Sequence, residues 1–173
     1  MHDFYIKSSQ YDNAIKILEI LEKDSIVNCV NANKIATGIY LIDKNYKQAS
    51  DYTIKLIDCM NSEKFESQSI FLVTETLISY LLLSEQFDKA ILYSEKLLTQ
   101  QAQNNRIKAA LYFSYRLTNE RKISSKLYSK IKKDEKAKKE FLLELEEYIK
   151  LYEKQLNKNI STLQKIKRKF RIN

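Results

Sequence analysis

At 173 residues, with no proline and one glycine (Gly38), the chain can hold one domain with a real core or a short repeat array. It cannot make the turn-rich β folds that need such residues every few positions. An apolar share of 44% argues against disorder, no run of 18 apolar residues offers a membrane span, and the formal charge of +8 keeps anionic partners in view.

The first apolar segment, Phe4-Tyr5-Ile6, leads into the pentapeptide QYDNA at 10–14, and an apolar stripe of Ile15, Leu18 and Leu21 follows. The same grammar of amide, aromatic, two polar residues and alanine returns as NYKQA at 45–49. There it follows an apolar-periodic run from Ile35 to Ile42 and precedes Ile54, Leu56 and Ile57. It returns again as QFDKA at 86–90, after Ile70 to Leu83 and before Ile91, Tyr93, Leu97 and Leu98. Aromatic and alanine lie three apart, so on a helix they share a face. Each unit is therefore predicted to be helix, short polar turn, helix. The motif marks the turn and the start of the second helix, with the aromatic as a plug and the alanine at a close approach of backbones. Small residues at matching depth in the first helix are expected at Ala36-Thr37-Gly38 and at Ser79.

The alanines are 35 and then 41 residues apart, a period that points to stacked helix pairs. A fourth, degenerate unit follows, with Phe113, Ser114 and Leu117 on its first helix and Ile123, Leu127 and Ile131 on its second. Beyond it, Leu145, Ile149, Tyr152, Leu156, Ile160, Leu163, Ile166 and Phe170 recur at spacings of three and four. This predicts one amphipathic helix of about 30 residues, on the order of 45 Å. Glu146 and Lys150 form an i, i+4 pair on it.

These units resemble the tetratricopeptide-repeat family. Tyr5, Tyr11 and Ala14 match one unit, Tyr40, Tyr46 and Ala49 the next, and Leu81, Phe87 and Ala90 the third. The family's tryptophan, turn glycine and closing proline are missing, and Leu21, Leu56 and Leu97 replace its second alanine. The resemblance implies an all-α, right-handed α-solenoid of antiparallel helix pairs over residues 1–133. Residues 134–173 are expected to form a long basic amphipathic helix that packs on the array or extends it. The competing reading is a generic helical bundle.

Such arrays offer a concave groove lined by the first helix of each pair. The phasing places Asn31, Lys34 and Gly38 there from one unit, Glu75, Thr76 and Ser79 from the next, and Lys108, Tyr112, Tyr115 and Asn119 from the fourth. Amides, charges and tyrosines suit an extended peptide. The family's carboxylate clamp is not reproduced: Lys34 fits its first lysine, but Gly38 and Thr76 stand where asparagines belong.

Charge divides along the chain. Residues 1–100 hold 10 basic against 14 acidic residues, and the remainder 20 against 8. A basic patch is expected from Lys126, Lys130 and Lys133 together with Lys165, Lys167, Arg168, Lys169 and Arg171 in the tail. One histidine, His2, at the extreme terminus supports neither a triad nor a zinc site, and one glycine cannot make a phosphate loop. Cys29 and Cys59 read as small buried hydrophobes in a reducing cytosol, with a disulfide or a metal site as the alternative. The amino-terminal residues lack the pattern of a secretory signal, so a cytoplasmic location is expected.

The expected function is non-catalytic binding of a protein or peptide, with no cofactor, by a module of a larger polypeptide. Resemblance alone suggests two parents: a peptide-sensing regulator, or a polysaccharide-synthesising transferase carrying an accessory repeat module. Two alternatives stand beside it. One is nucleic-acid or anionic-surface binding through the basic half. The other is self-association, a homo-oligomer formed through the carboxy-terminal helix.

Overall fold

The computed structural model describes residues 11–156. Among the described residues it has eight helices and no strand. They are α1 (Tyr11–Lys23), α2 (Cys29–Ile42), α3 (Tyr46–Ser62), α4 (Ser67–Leu83), α5 (Phe87–Gln100), α6 (Asn105–Leu117), α7 (Arg121–Ile131) and α8 (Glu135–Leu156). Two of them, α3 and α5, begin at the aromatic of the repeated pentapeptide, and α1 is described from the same aromatic, Tyr11, onward. No described helix is long and apolar enough to cross a membrane. The architecture is all-helical and compatible with a helical repeat. In its described part the expected amphipathic helix is α8, which covers 22 described residues, about 33 Å; Ile160, Leu163, Ile166 and Phe170 lie outside the described residues.

A chain nearly without glycine must still end its helices. Five residues take the left-handed conformation that usually belongs to glycine: Ser25, Lys44, Lys64, Glu85 and Asn119. Each is followed by a residue whose N–H reaches five positions back, namely Ile26 to Leu21, Asn45 to Tyr40, Phe65 to Met60, Gln86 to Leu81 and Glu120 to Tyr115, at 2.8–2.9 Å. This is the closing bond of a Schellman cap. The turn geometry thus persists where its glycine does not. Asparagines begin the next helices: Asn28, Asn45 and Asn104 each accept the N–H three residues on. A left-handed Lys44 carries steric strain that glycine lacks, so Lys44→Gly is expected to raise stability by about 0.5–1 kcal/mol. A urea midpoint that stays put or falls would refute this.

The chain divides into two compact units, residues 1–80 and 81–173, with the division in the last turn of α4. In the first unit α2 and α3 form the most closely packed pair. The motif alanines Ala14 and Ala49 are buried in one cluster with Ile15, Leu18, Ala36, Ile39 and Tyr40. Tyr11, Leu41, Tyr52 and Tyr80 pack around it. At Ala49 nothing of the residue reaches solvent, as a notch between backbones requires. Thr37 and Thr53 meet across the pair at 3.4 Å.

Cys29, at the start of α2, and Cys59, near the end of α3, are joined by a disulfide with their Cα atoms 5.9 Å apart. The expectation of two thiols is thereby corrected in favour of its alternative. The antiparallel pairing of α2 with α3 brings together two cysteines that are 30 residues apart in the chain. That contact is non-local and leaves no mark in the spacing.

In the second unit α6 packs against α5, α7 and α8, and every residue from Ala109 to Tyr115 is buried. Phe113 lies 5.5 Å from the Tyr152 ring and 6.5 Å from that of Tyr148. Phe141 meets Tyr112 at 5.5 Å and Tyr128 at 5.9 Å. Ala90, the third motif alanine, is again sealed from solvent, and its partner Phe87 lies 6.1 Å from Tyr152. On α8 the predicted stripe residues Leu145 and Tyr152 are buried, together with Phe141 and Tyr148. Glu146 and Lys150 form the expected pair at 2.8 Å on the exposed side.

Three tyrosines donate hydrogen bonds to carboxylates: Tyr52 to Glu19 in the first unit, Tyr115 to Glu95 and Tyr152 to Glu85 in the second. Removal from water, reinforced by the carboxylate hydrogen bond and its charge, pushes all three phenols well above the ordinary value of 10.0. Unfolded tyrosines lose their protons near pH 10 while the folded ones keep them. Above that pH the unfolded state holds fewer protons, and stability falls. Their contribution is complete below about pH 10 and is lost as the pH rises beyond it. Melting temperature is expected to drop steeply there, and less steeply in a Tyr52→Phe, Tyr115→Phe, Tyr152→Phe triple variant. Parallel curves for the two chains would contradict the assignment.

Candidate groove and pocket

In the first unit α2, α3 and α4 enclose an open pocket of about 330 Å³. From α2 come Lys34, Thr37, Gly38 and Leu41, spaced by three and four so that they share one face. From α3 come Thr53 and Leu56, and from α4 Leu72, Val73, Thr76 and Tyr80. The threonines are less polar than they look. Thr37, Thr53 and Thr76 donate their hydroxyl protons to the carbonyls of Asn33, Ala49 and Leu72 on their own helices. Their methyl groups and spare lone pairs remain for the pocket. Among the described residues, Lys34 is its only charged lining residue.

Gly38 is the one glycine of the chain, and it sits inside a helix with ordinary negative φ. Glycine there disfavours the helix by about 1 kcal/mol relative to alanine. A Cβ built at Gly38 would meet nothing within 4 Å. Neither backbone conformation nor internal packing calls for glycine at this position.

The predicted groove residues fall into two groups. In the first unit Asn31 and Lys34 are exposed on α2, and Glu75 and Ser79 are half-buried on α4. Of these only Lys34 lines the pocket, beside the neighbours Gly38 and Thr76 that the phasing also placed in the groove. In the second unit Tyr112 and Tyr115 are interior, 5% and 8% exposed, and do not offer the flat surface expected of them. The physical reason is that α6 is covered by three other helices. Lys108 is half-buried, hydrogen-bonded to Gln103 at 3.3 Å, with its pKa lowered by burial. Asn119 serves the turn as its left-handed residue.

Of the basic patch, Lys126 and Lys130 are exposed one helical turn apart on α7, and Lys133 is exposed in the turn that follows. No described acid pairs with these three. Lys165, Lys167, Arg168, Lys169 and Arg171 lie outside the described residues.

A second open pocket, of about 370 Å³, lies over the disulfide in the first unit, lined by Glu19, Glu22, Asn33, Tyr52, Lys55 and Asp58 with the two cysteines. Asn33 is buried there and anchored, its amide donating to the Cys29 carbonyl at 2.8 Å and lying 3.5 Å from each sulfur. Lys55 sits over the Tyr52 ring at 4.3 Å. Among the described residues no group of three or more potential metal ligands converges.

The apolar members of the first pocket, Leu41, Leu56, Leu72, Val73 and Tyr80, were not predicted as site residues. One signal could have found them: a lone glycine in the middle of a helical pattern, in a chain that otherwise avoids glycine. No protein-family model matches the chain, and no curated protein matches it.

Proposed function

We propose that this chain is a non-catalytic helical-repeat module, a right-handed solenoid of the tetratricopeptide type, whose working surface holds an extended peptide. One observation carries the reading. The pocket is lined mainly by α2 and α4, the first helices of two consecutive motif-bearing units, which is the surface such arrays present to a ligand. The recurrence of buried alanines at the start of α1, α3 and α5 supports the repeat assignment. Selection of displayed random heptapeptides on the purified chain, followed by fluorescence anisotropy of the winners, tests it. Saturable binding competed by unlabelled peptide is the expected result. Failure to enrich any sequence over repeated rounds would remove the proposal.

A second reading rests on Lys126, Lys130 and Lys133, exposed and without described acidic partners. It is binding of a polyanion such as single-stranded nucleic acid. Each phosphate neutralised would steepen the fall of affinity with salt. A labelled oligonucleotide whose retention is the same at low and high salt would eliminate it. Self-association through the described part of α8 would have to use Leu143 and Leu151, which are exposed, because Phe141, Leu145, Tyr148 and Tyr152 are buried.

A further inference from the structure

We infer that the pocket at Gly38 receives one large apolar side chain of the bound peptide, while an acidic residue two positions away in that peptide pairs with Lys34. This rests on the peptide-binding reading and specifies its recognition rule.

Gly38 is the starting point. Its helix would be better served by alanine, and among the described residues nothing comes within 4 Å of where its Cβ would stand. Close approach of a ligand to bare backbone is a use of glycine that satisfies both facts. The walls around that space set the chemistry of what enters. Leu41, Leu56, Val73 and the threonine methyls are apolar, and Leu72 stands 52% exposed at the rim. The volume, about 330 Å³, is at the small end of ligand sites. It exceeds what a valine or alanine side chain fills, so leucine, phenylalanine or tryptophan is favoured.

Charge fixes the second element. Lys34 precedes Gly38 by one helical turn, which places it about 6 Å away along α2. It is exposed, and no described residue pairs with it. In an extended peptide, side chains two apart point the same way and are separated by about 6.6 Å. The two spacings agree. A ligand running along α2 therefore satisfies both positions with an apolar residue, any residue, then aspartate or glutamate, or with the reverse order.

The test uses the full chain and blocked nonapeptides in a Gly/Ser background. They carry phenylalanine and glutamate at separations of one to four, in both orders, beside an unbiased displayed heptapeptide library. The separation of two is expected to bind at least tenfold more tightly than separations of one or three. Gly38→Ala is expected to raise the melting temperature by a few degrees and yet to weaken that peptide at least tenfold. Gly38→Leu and Lys34→Glu should abolish its binding. A merely structural glycine would show the stability gain with affinity unchanged.

Three outcomes overturn the inference. If library peptides bind but the Gly38 and Lys34 variants take them equally well, the pocket is not the recognition site, and the peptide reading stands without it. If 4-phenylbutyrate alone displaces the peptide at equal concentration, the ligand is a small apolar acid and not a peptide. If neither library nor designed peptides bind the unaltered chain, the proposed function itself is gone.

Discussion

Reducing the Cys29–Cys59 bridge is expected to lower the stability of the first unit by about 3.5 kcal/mol. The bridge closes a loop with a sequence separation of 30, and loop-closure entropy of that size is withheld from the unfolded chain. For a protein of this length the shift in melting temperature is on the order of 10 °C. Thermal unfolding followed by circular dichroism, with and without a phosphine reductant, checks it. A Cys29→Ser, Cys59→Ser double variant insensitive to the reductant is the control. Coincident melts of the native chain in both conditions, together with full alkylation of both cysteines before reduction, would show that the sulfurs are not bonded in solution.

The other large effect belongs to Phe113. Its side chain is sealed in the second unit between Tyr148 and Tyr152, and truncation to alanine removes a ring that the helices cannot close over. Phe113→Ala is expected to cost about 3–5 kcal/mol. A folded domain has only about 5–15 kcal/mol in hand, so the variant sits near the unfolding threshold and α8 should lose helicity first. Ile123→Ala, at a position 45% exposed on α7, serves as the contrast and should stay within about 0.5 kcal/mol of the parent. Urea titrations of both variants decide it. Equal losses at the two positions would mean that α6 is not the centre of the unit.

The helices themselves were legible because their signals are local. Asparagine before Tyr46, alanine three residues after each aromatic, and apolar residues at three- and four-residue spacings act within one or two turns of chain. They correctly placed the starts of α3 and α5 and the pair α6–α7. Missing turn glycines hid less than they threatened to. The left-handed residue is set by the helix end, and lysine, glutamate or asparagine accepts it at a moderate cost.

The site was less legible, and Tyr112 shows why. Periodicity assigns a residue to a face of its own helix. Whether that face is open depends on how many other helices cover it. Between Ala109 and Tyr115 the run AALYFSY is apolar or small around the whole circumference, the mark of an enclosed helix, and that is where two supposed groove tyrosines went. Gly38 is the converse case: a residue with no side chain leaves no pattern, yet its missing Cβ shapes a wall of the pocket.

By itself the sequence determined the all-helical class, the turns at which α3 and α5 begin, and the alanine notches at which helices approach. Each of these follows from interactions between residues close along the chain. Only the tertiary structure decided that Cys29 meets Cys59, that α6 is covered by three helices, and that Lys34, Gly38 and Leu72 share one cavity. Those facts depend on which distant segments pack together. That choice reflects the summed burial of many side chains and is not written at any single position.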